Sequence, residues 1–448
     1  MMTPTGVSAT LADFASDTGW SDLPESTKDA ARRTFGNTVS LAVGASASPA
    51  VVIARRALRK LGSPPDASVL GTTERLGLLA APLVNGIAAH LEDFDDTHLQ
   101  TVVHPGAPIV PAALAMAEHT GADGQDLLTA VAVGVEVALR FADGICPEHF
   151  DRGWHLTGTA GHVGAAVAAG RLAGLRGKQL VDALGLGATQ AAGLTEALGT
   201  MTKPFHPGKA ASDGVQAALL AAGGFSGPAE PIAGRGGLAT LVSSRFSPEQ
   251  MLDGLGSKWE LEKNAFKAYA CGIVSHAIID AGRYLRTRLP TDAVADVEVR
   301  AHPVVREVMG VADPRSGLES KFSAYHAFAV GFLDDAGGLA QFSEQRAQAE
   351  DARDLRRRVR VVDDPTVARG AAQVVATAVD GGTERVDIEH ATGSLARPMT
   401  DVQLVEKARS VVLPVLGDGT EPFLEHAFAV DTTGFGALLS VAQRTEGA

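Results

Sequence analysis

Apolar residues recur at helical spacing from near the start of the chain to about residue 260, in text dominated by Ala, Leu, Val and Gly, and no other feature limits the fold as much. A stretch that long with that period predicts a large all-helical part. Within it, Ser21-Asp22-Leu23-Pro24-Glu25 supplies a polar cap and an early proline for a helix whose apolar face includes Ala31, Phe35, Val39 and Ala42. Pro111 is expected to open the Ala-rich run behind it. Residues 159–175 and 184–198 are small and apolar nearly all round, which suits helices packed closely at a domain centre.

Beyond about residue 285 the period changes. Val297, Val299 and Ala301 alternate with polar residues as in a half-buried strand. Residues 373–379 turn at Asp380-Gly381-Gly382 into 385–389, the pattern of a hairpin. The charged stretch 344–358 reads as a helix with a solvated face. From Pro398 the text is helical again (DVQLVEKARSVVLPVL), so the C-terminus is expected to return to the first part. A chain of 448 residues also exceeds what one core holds, roughly 250–300 residues. The fold class is therefore mainly α, with a second part that mixes helices and strands.

Lys and Arg number 39 against 52 Asp and Glu, a formal charge of −13, which disfavours nucleic acid and anionic membranes as partners. A small anionic substrate then needs a local cluster of Lys and His. Two cysteines, Cys146 and Cys271, are too few for a disulfide framework and fit a reducing compartment. No basic segment leads into an apolar one at the N-terminus and no apolar run reaches about 18 residues. The expected location is the cytoplasm.

Many of the 13 histidines fall in short polar islands inside apolar text. The first runs from Asn85 through His90 to the DFDDTH segment and on to His104-Pro105-Gly106. Its three aspartates with His98 and His104 could bind a divalent metal, but no HExxH spacing supports one, and an acidic solvated loop explains the same text. His104 is its best general acid or base, since imidazole titrates near neutrality. In the second island, His155 and Thr157 precede a helix whose N-terminal amides suit a carboxylate, or else a threonine merely caps it. The third, Met201 to Lys209, reads as a stiff cationic loop in which Lys203 and His206 could clamp a carboxylate, or as a plain surface loop. The fourth holds Lys267, Tyr269 and Cys271, with His276 and Asp280 as a helical pair; nothing near Cys271 activates it as a nucleophile. The fifth holds Tyr325 and His326. No Walker loop, GxSxG elbow or dinucleotide fingerprint accompanies these islands.

In this order the islands resemble the MmgE/PrpD family, whose members include 2-methylcitrate dehydratase, cis-aconitate decarboxylase and iminodisuccinate epimerase. The matching text is the helix from Leu23 to Gly44, NGIAAHLEDFDDT with HPG downstream, GWHLTGTAGHVGAA, TKPFHPGKAA, FKAYACGIVSHAIIDA, KFSAYHAFA and RPMTDVQLVEKAR. The resemblance implies a helical domain built from residues 1–266 and 397–448, an inserted α+β lid of residues 267–396, a homodimer, and an active site between domains without metal or organic cofactor. By motif match, Asp93, Thr97, His104, His155, Lys203 and Lys267 fall on active-site positions. The sequence departs from the family at Asn37, Gly106, Ala268 and Ala270. Many members also carry the KFS-segment tyrosine one residue later, so either Tyr325 or His326 takes that role.

The expectation is a proton-transfer enzyme acting beside a carboxylate of a small di- or tricarboxylic acid, as epimerase or as lyase. His104 is one acid or base and Tyr325, or His326, the opposing proton carrier. Lys203, Lys267 and His155, with His206, hold carboxylates and stabilise enolate-like charge, Thr97 hydrogen-bonds a carboxylate, and Asp93 orients His104 or a neighbour. The alternatives are a non-catalytic carboxylate-binding protein of the same fold and a metal-dependent hydrolase using the DFDD loop.

Overall fold

A computed structural model describes residues 6–443. The chain is mainly α-helical and divides into two compact units. Among the described residues, unit 1 takes 6–91, 95–264 and 401–443, and unit 2 takes 92–94 and 265–400. Among the described residues, no single helix is long and apolar enough to cross a membrane.

Unit 1 contains α1 (Glu25–Gly44), α2 (Ala80–Leu91), α3 (Gly106–Thr120), α4 (Gly124–Ile145), α5 (Leu156–Leu172), α6 (Gly177–Ala188) and α7 (Thr202–Ala222). Small residues set its packing. Ala112 and Met116 of α3, Ala165 and Ala169 of α5, and Ala211, Val215 and Ala218 of α7 share one buried cluster. The backbones of α2 and α7 nearly touch, for a Cβ built on Gly86 would lie 2.7 Å from Gly208 Cα, and one on Gly208 2.4 Å from Leu83 O. Because His90 lies in the last turn of α2 and Lys203 in the first turn of α7, this crossing fixes the spacing of two elements that carry chemistry. Gly208→Ala is expected to destabilise the chain by about 1–3 kcal/mol, since backbone cannot yield as a side chain does. A thermal melt checks this against Gly236→Ala, where an added Cβ meets nothing within 4 Å.

Three helix boundaries differ from the sequence reading. The helix expected to open at Pro111 starts five residues earlier, because the Asp96 carboxylate accepts the Gly106 N–H at 3.1 Å and captures the first turn. The expected cationic loop at Met201 to Lys209 lies almost wholly in the first turns of α7. Pro204 falls where a helix has no intrahelical acceptor for its amides, and Pro207 forfeits a single bond to the Lys203 carbonyl. The apolar run 184–198 stays α-helical only to Ala188. Beyond it, Gly193 O accepts the His155 N–H and Thr195 N–H donates to Gly153 O, so the chain pairs with the approach to α5 instead.

In unit 2, α8 (His276–Arg286) packs against a four-stranded sheet of order β2-β1-β3-β4, built from β1 (Val294–Ala301), β2 (Val359–Asp363), β3 (Ala372–Ala378) and β4 (Thr383–Ile388). The β3–β4 hairpin and the strand through Val297 are where the alternation placed them. β1 and β2 run parallel, which requires a crossover. That crossover carries α9 (Ala324–Asp334), α10 (Glu344–Gln348) and α11 (Glu350–Arg356). The charged stretch is thus two short helices, and it is not wholly solvated: Ala352, Leu355 and Arg356 are buried. The helical C-terminal text forms α12 (Asp401–Leu416), which packs on α1 within unit 1.

Candidate active site

His90, at the end of α2, donates from Nδ1 to Asp95 Oδ2 at 2.5 Å; both residues are buried. Asp95 Oδ1 lies 3.4 Å from His104 Nδ1. The same nitrogen is 2.9 Å from the Asp96 carbonyl and 3.0 Å from Thr97 Oγ1. A carbonyl only accepts, so Nδ1 of His104 carries the hydrogen, and the lone pair of the neutral ring sits at Nε2. The His104 N–H donates to Thr157 Oγ1 at 3.1 Å, tying the His-Pro-Gly segment to the first turn of α5.

Imidazoles continue from there. The rings of His90 and His104 meet edge to face at 4.9 Å, and His155, the residue before α5, stacks on His90 at 5.7 Å. His155 Nδ1 lies 3.0 Å from His206 Nδ1, so one proton is held between the two rings. Burial lowers the His206 pKa, and the neighbouring Lys203 charge lowers it further. Lys203, three residues before His206 on α7, is itself buried. Four imidazoles, a buried lysine and a buried carboxylate therefore share one region of unit 1. A ring nitrogen each from His90 and His104 and an Asp95 carboxylate oxygen lie within 4.8 Å of one another, a donor set that could hold a metal ion.

Asp96 supports this region. Its Oδ2 accepts from Asn264 Nδ2 at 2.6 Å as well as from Gly106, and burial, with the Asp95 charge, pushes its carboxyl up to about 7. On the next layer His162 of α5 bridges the Gly158 carbonyl (2.6 Å) and the Asp213 carboxylate of α7 (2.9 Å), which locks the two helices that carry Thr157 and His206.

Asp93 and Lys267 belong to unit 2 and meet each other: Lys267 Nζ is 3.0 Å from Asp93 Oδ1 and 3.2 Å from its carbonyl, and Lys267 is buried. Lys321 donates to the Glu92 carbonyl (2.7 Å) and pairs with its carboxylate (3.1 Å). Two lysines thus hold residues 92–94 in unit 2. Asp93 had been expected to orient His104 or a neighbour; the carboxylate 3.4 Å from the His104 ring is Asp95.

Residues 9–251 match the MmgE/PrpD N-terminal domain and residues 269–425 the MmgE/PrpD C-terminal domain. The chain belongs to the MmgE/PrpD family. It is 26% identical over 437 residues to cis-aconitate decarboxylase of Aspergillus terreus, which covers 91% of this chain and 89% of that one. The cis-aconitate decarboxylases of Homo sapiens and Mus musculus are 28% and 27% identical over 358 and 363 residues, covering 75% of this chain in each case and 73% and 72% of theirs.

In this MmgE/PrpD chain Tyr325 and His326 separate. Tyr325 is half-buried in the first turn of α9. His326 is fully buried; Nε2 donates to Gln341 O at 2.8 Å, and Nδ1 accepts from Arg356 at 3.2 Å. That is the hydrogen bonding of a neutral ring that braces the crossover. Burial, and then the Arg356 charge, push its pKa down to about 4 from 6.5. A base whose folded pKa is depressed contributes stability above its unfolded pKa and loses it as pH falls, here between 6.5 and about 4 and worth about 3 kcal/mol. His326→Gln, which keeps a donor and an acceptor, is expected to flatten the loss of Tm over that window relative to the wild type; parallel curves would contradict this.

Both cysteines stay thiols at neutral pH, since burial pushes each up to about 12. The residues that sequence reasoning did not single out are His90, His162 and Asp213, and it read Asp95 and Asp96 only as possible metal ligands of the DFDD loop. His90 and Asp95 lay inside the quoted first island, but nothing in their spacing showed which carboxylate meets which ring.

Proposed function

We propose that this chain is a lyase that removes carbon dioxide from cis-aconitate or a closely similar tricarboxylate, with no metal or organic cofactor. The relatives' activity supports the reaction class, and the run of imidazoles from His206 to His104, with Lys203 beside it, is the observation that carries the reading. Lys203 supplies the local positive field that a chain of this net charge otherwise lacks, and with the proton-sharing His155–His206 pair it binds substrate carboxylates. As the bond to one carboxyl group breaks, carbon dioxide leaves and its electron pair passes into the remaining unsaturated carboxylate. Protonated His104 then delivers a proton from Nε2 to carbon, and Asp95 stabilises the imidazolium before the transfer. The product carries one carboxylate fewer and one hydrogen more on carbon. Thr97 keeps the ring of His104 in place, and so serves the substrate indirectly.

By the resemblance, Lys267 with Asp93 and Tyr325 act on the same substrate, which Lys267→Ala and Tyr325→Phe test through turnover. We also read the chain as a homodimer, which light scattering measures as twice the chain mass. The reaction itself is tested by NMR on chelator-treated protein incubated with cis-aconitate, a 2-methylcitrate-type acid and an iminodisuccinate-type acid. Loss of carbon dioxide from cis-aconitate is expected. Water loss from the hydroxy acid, inversion of the imino acid, or binding without turnover would replace the reading by dehydratase, epimerase or carboxylate-binding protein respectively.

A further inference from the structure

We propose that His90, Asp95 and His104 form an inhibitory site for a borderline divalent cation of the zinc type, held by two imidazole nitrogens and one carboxylate oxygen. Their candidate ligand atoms lie within 4.8 Å of one another, and all three side chains are buried. The site is therefore largely built before an ion arrives. His90 and Asp95 already touch at 2.5 Å through one shared proton, and His104 Nδ1 stands 3.4 Å from the other carboxylate oxygen. An entering cation takes the place of that proton at Nδ1, and each ring keeps its one hydrogen by moving it to Nε2, His104 giving up its Nδ1–H bond to the Asp96 carbonyl. The ring nitrogens then move apart only to the spacing a metal imposes.

The donor chemistry selects the ion. Two nitrogens and one oxygen suit zinc and its first-row neighbours; magnesium and calcium require oxygen shells. Three protein ligands leave a fourth position, which water or a substrate carboxylate fills. The consequence is inhibition, because the ion occupies the ring that the proposed reaction uses for proton delivery. This inference concerns the binding of an ion and stands or falls separately from the assigned substrate.

Calorimetry on the metal-stripped full chain measures the site directly. Titration with zinc chloride is expected to show one saturable site per chain, and magnesium chloride none. His90→Gln is expected to weaken zinc binding by about tenfold or more, and the exposed His119→Gln leaves it unchanged. Should His90→Gln fold poorly, anomalous diffraction at the zinc edge from wild-type crystals locates the ion; a peak in contact with His90, Asp95 and His104 is the expected result. Once a substrate is turned over, zinc lowers the rate in step with occupancy and a chelator restores it. Absence of a saturable zinc site, a peak elsewhere on the chain, or a rate that rises with zinc would overturn the proposal.

Discussion

His104→Ala is expected to lower turnover by about 10²- to 10⁴-fold, the contribution usual for a positioned general acid or base, while leaving the melting temperature near that of the wild type. The chemical loss is large because the ring combines Nδ1–H against a backbone carbonyl with a carboxylate 3.4 Å away. That pairing fixes which nitrogen exchanges the proton and favours the charged ring when the proton arrives. The structural loss is small because the segment is anchored through main chain: the His104 N–H reaches Thr157 and the Gly106 N–H reaches Asp96, and neither bond needs the imidazole. Turnover near the wild-type rate in a folded variant would remove His104 from the chemistry.

Lys203→Ala should cost about 10²- to 10³-fold in kcat/KM, the scale of removing one preorganised charge partner from a dry site. The lysine is buried at the start of α7, and its charge is felt by His206. A multiply charged substrate entering without it meets Asp95 and Asp96 with less positive field to offset them. Lys203→Arg is expected to recover little, because the planar guanidinium needs more room and a different acceptor geometry. A variant whose KM and kcat both match the wild type would show that the carboxylates are held elsewhere.

The helical half was legible because a packing rule writes itself into sequence. Where Gly86 meets Gly208 and Ala residues of three helices share a core, only small residues fit, and the text is small and periodic there. The prolines misled for a local reason. Pro111 read as a helix start and Pro207 as part of a loop, yet each sits in the second turn of a helix begun by something further away: the Asp96 carboxylate for α3, and the packing of α7 against α2 and α5. The DFDD run hides its most consequential detail in one dihedral. Asp93 adopts a left-handed backbone (φ 50°), so the chain turns there, and carboxylates two residues apart in sequence go to Lys267 in unit 2 and to His90 in unit 1. No periodicity reports such a turn at a non-glycine residue. Nor does the local sequence distinguish His326 from Tyr325, because the group against the His326 ring is Arg356, thirty residues on.

The measurement that tests the central claim most directly is solvent proton delivery to carbon. Chelator-treated wild-type protein, incubated with cis-aconitate in deuterium oxide, is expected to yield carbon dioxide and a dicarboxylate with one carbon-bound deuterium per molecule, at a rate that collapses in His104→Ala. Carbon-bound deuterium in neither substrate nor product, or a reaction that proceeds only when a metal is restored, would contradict it.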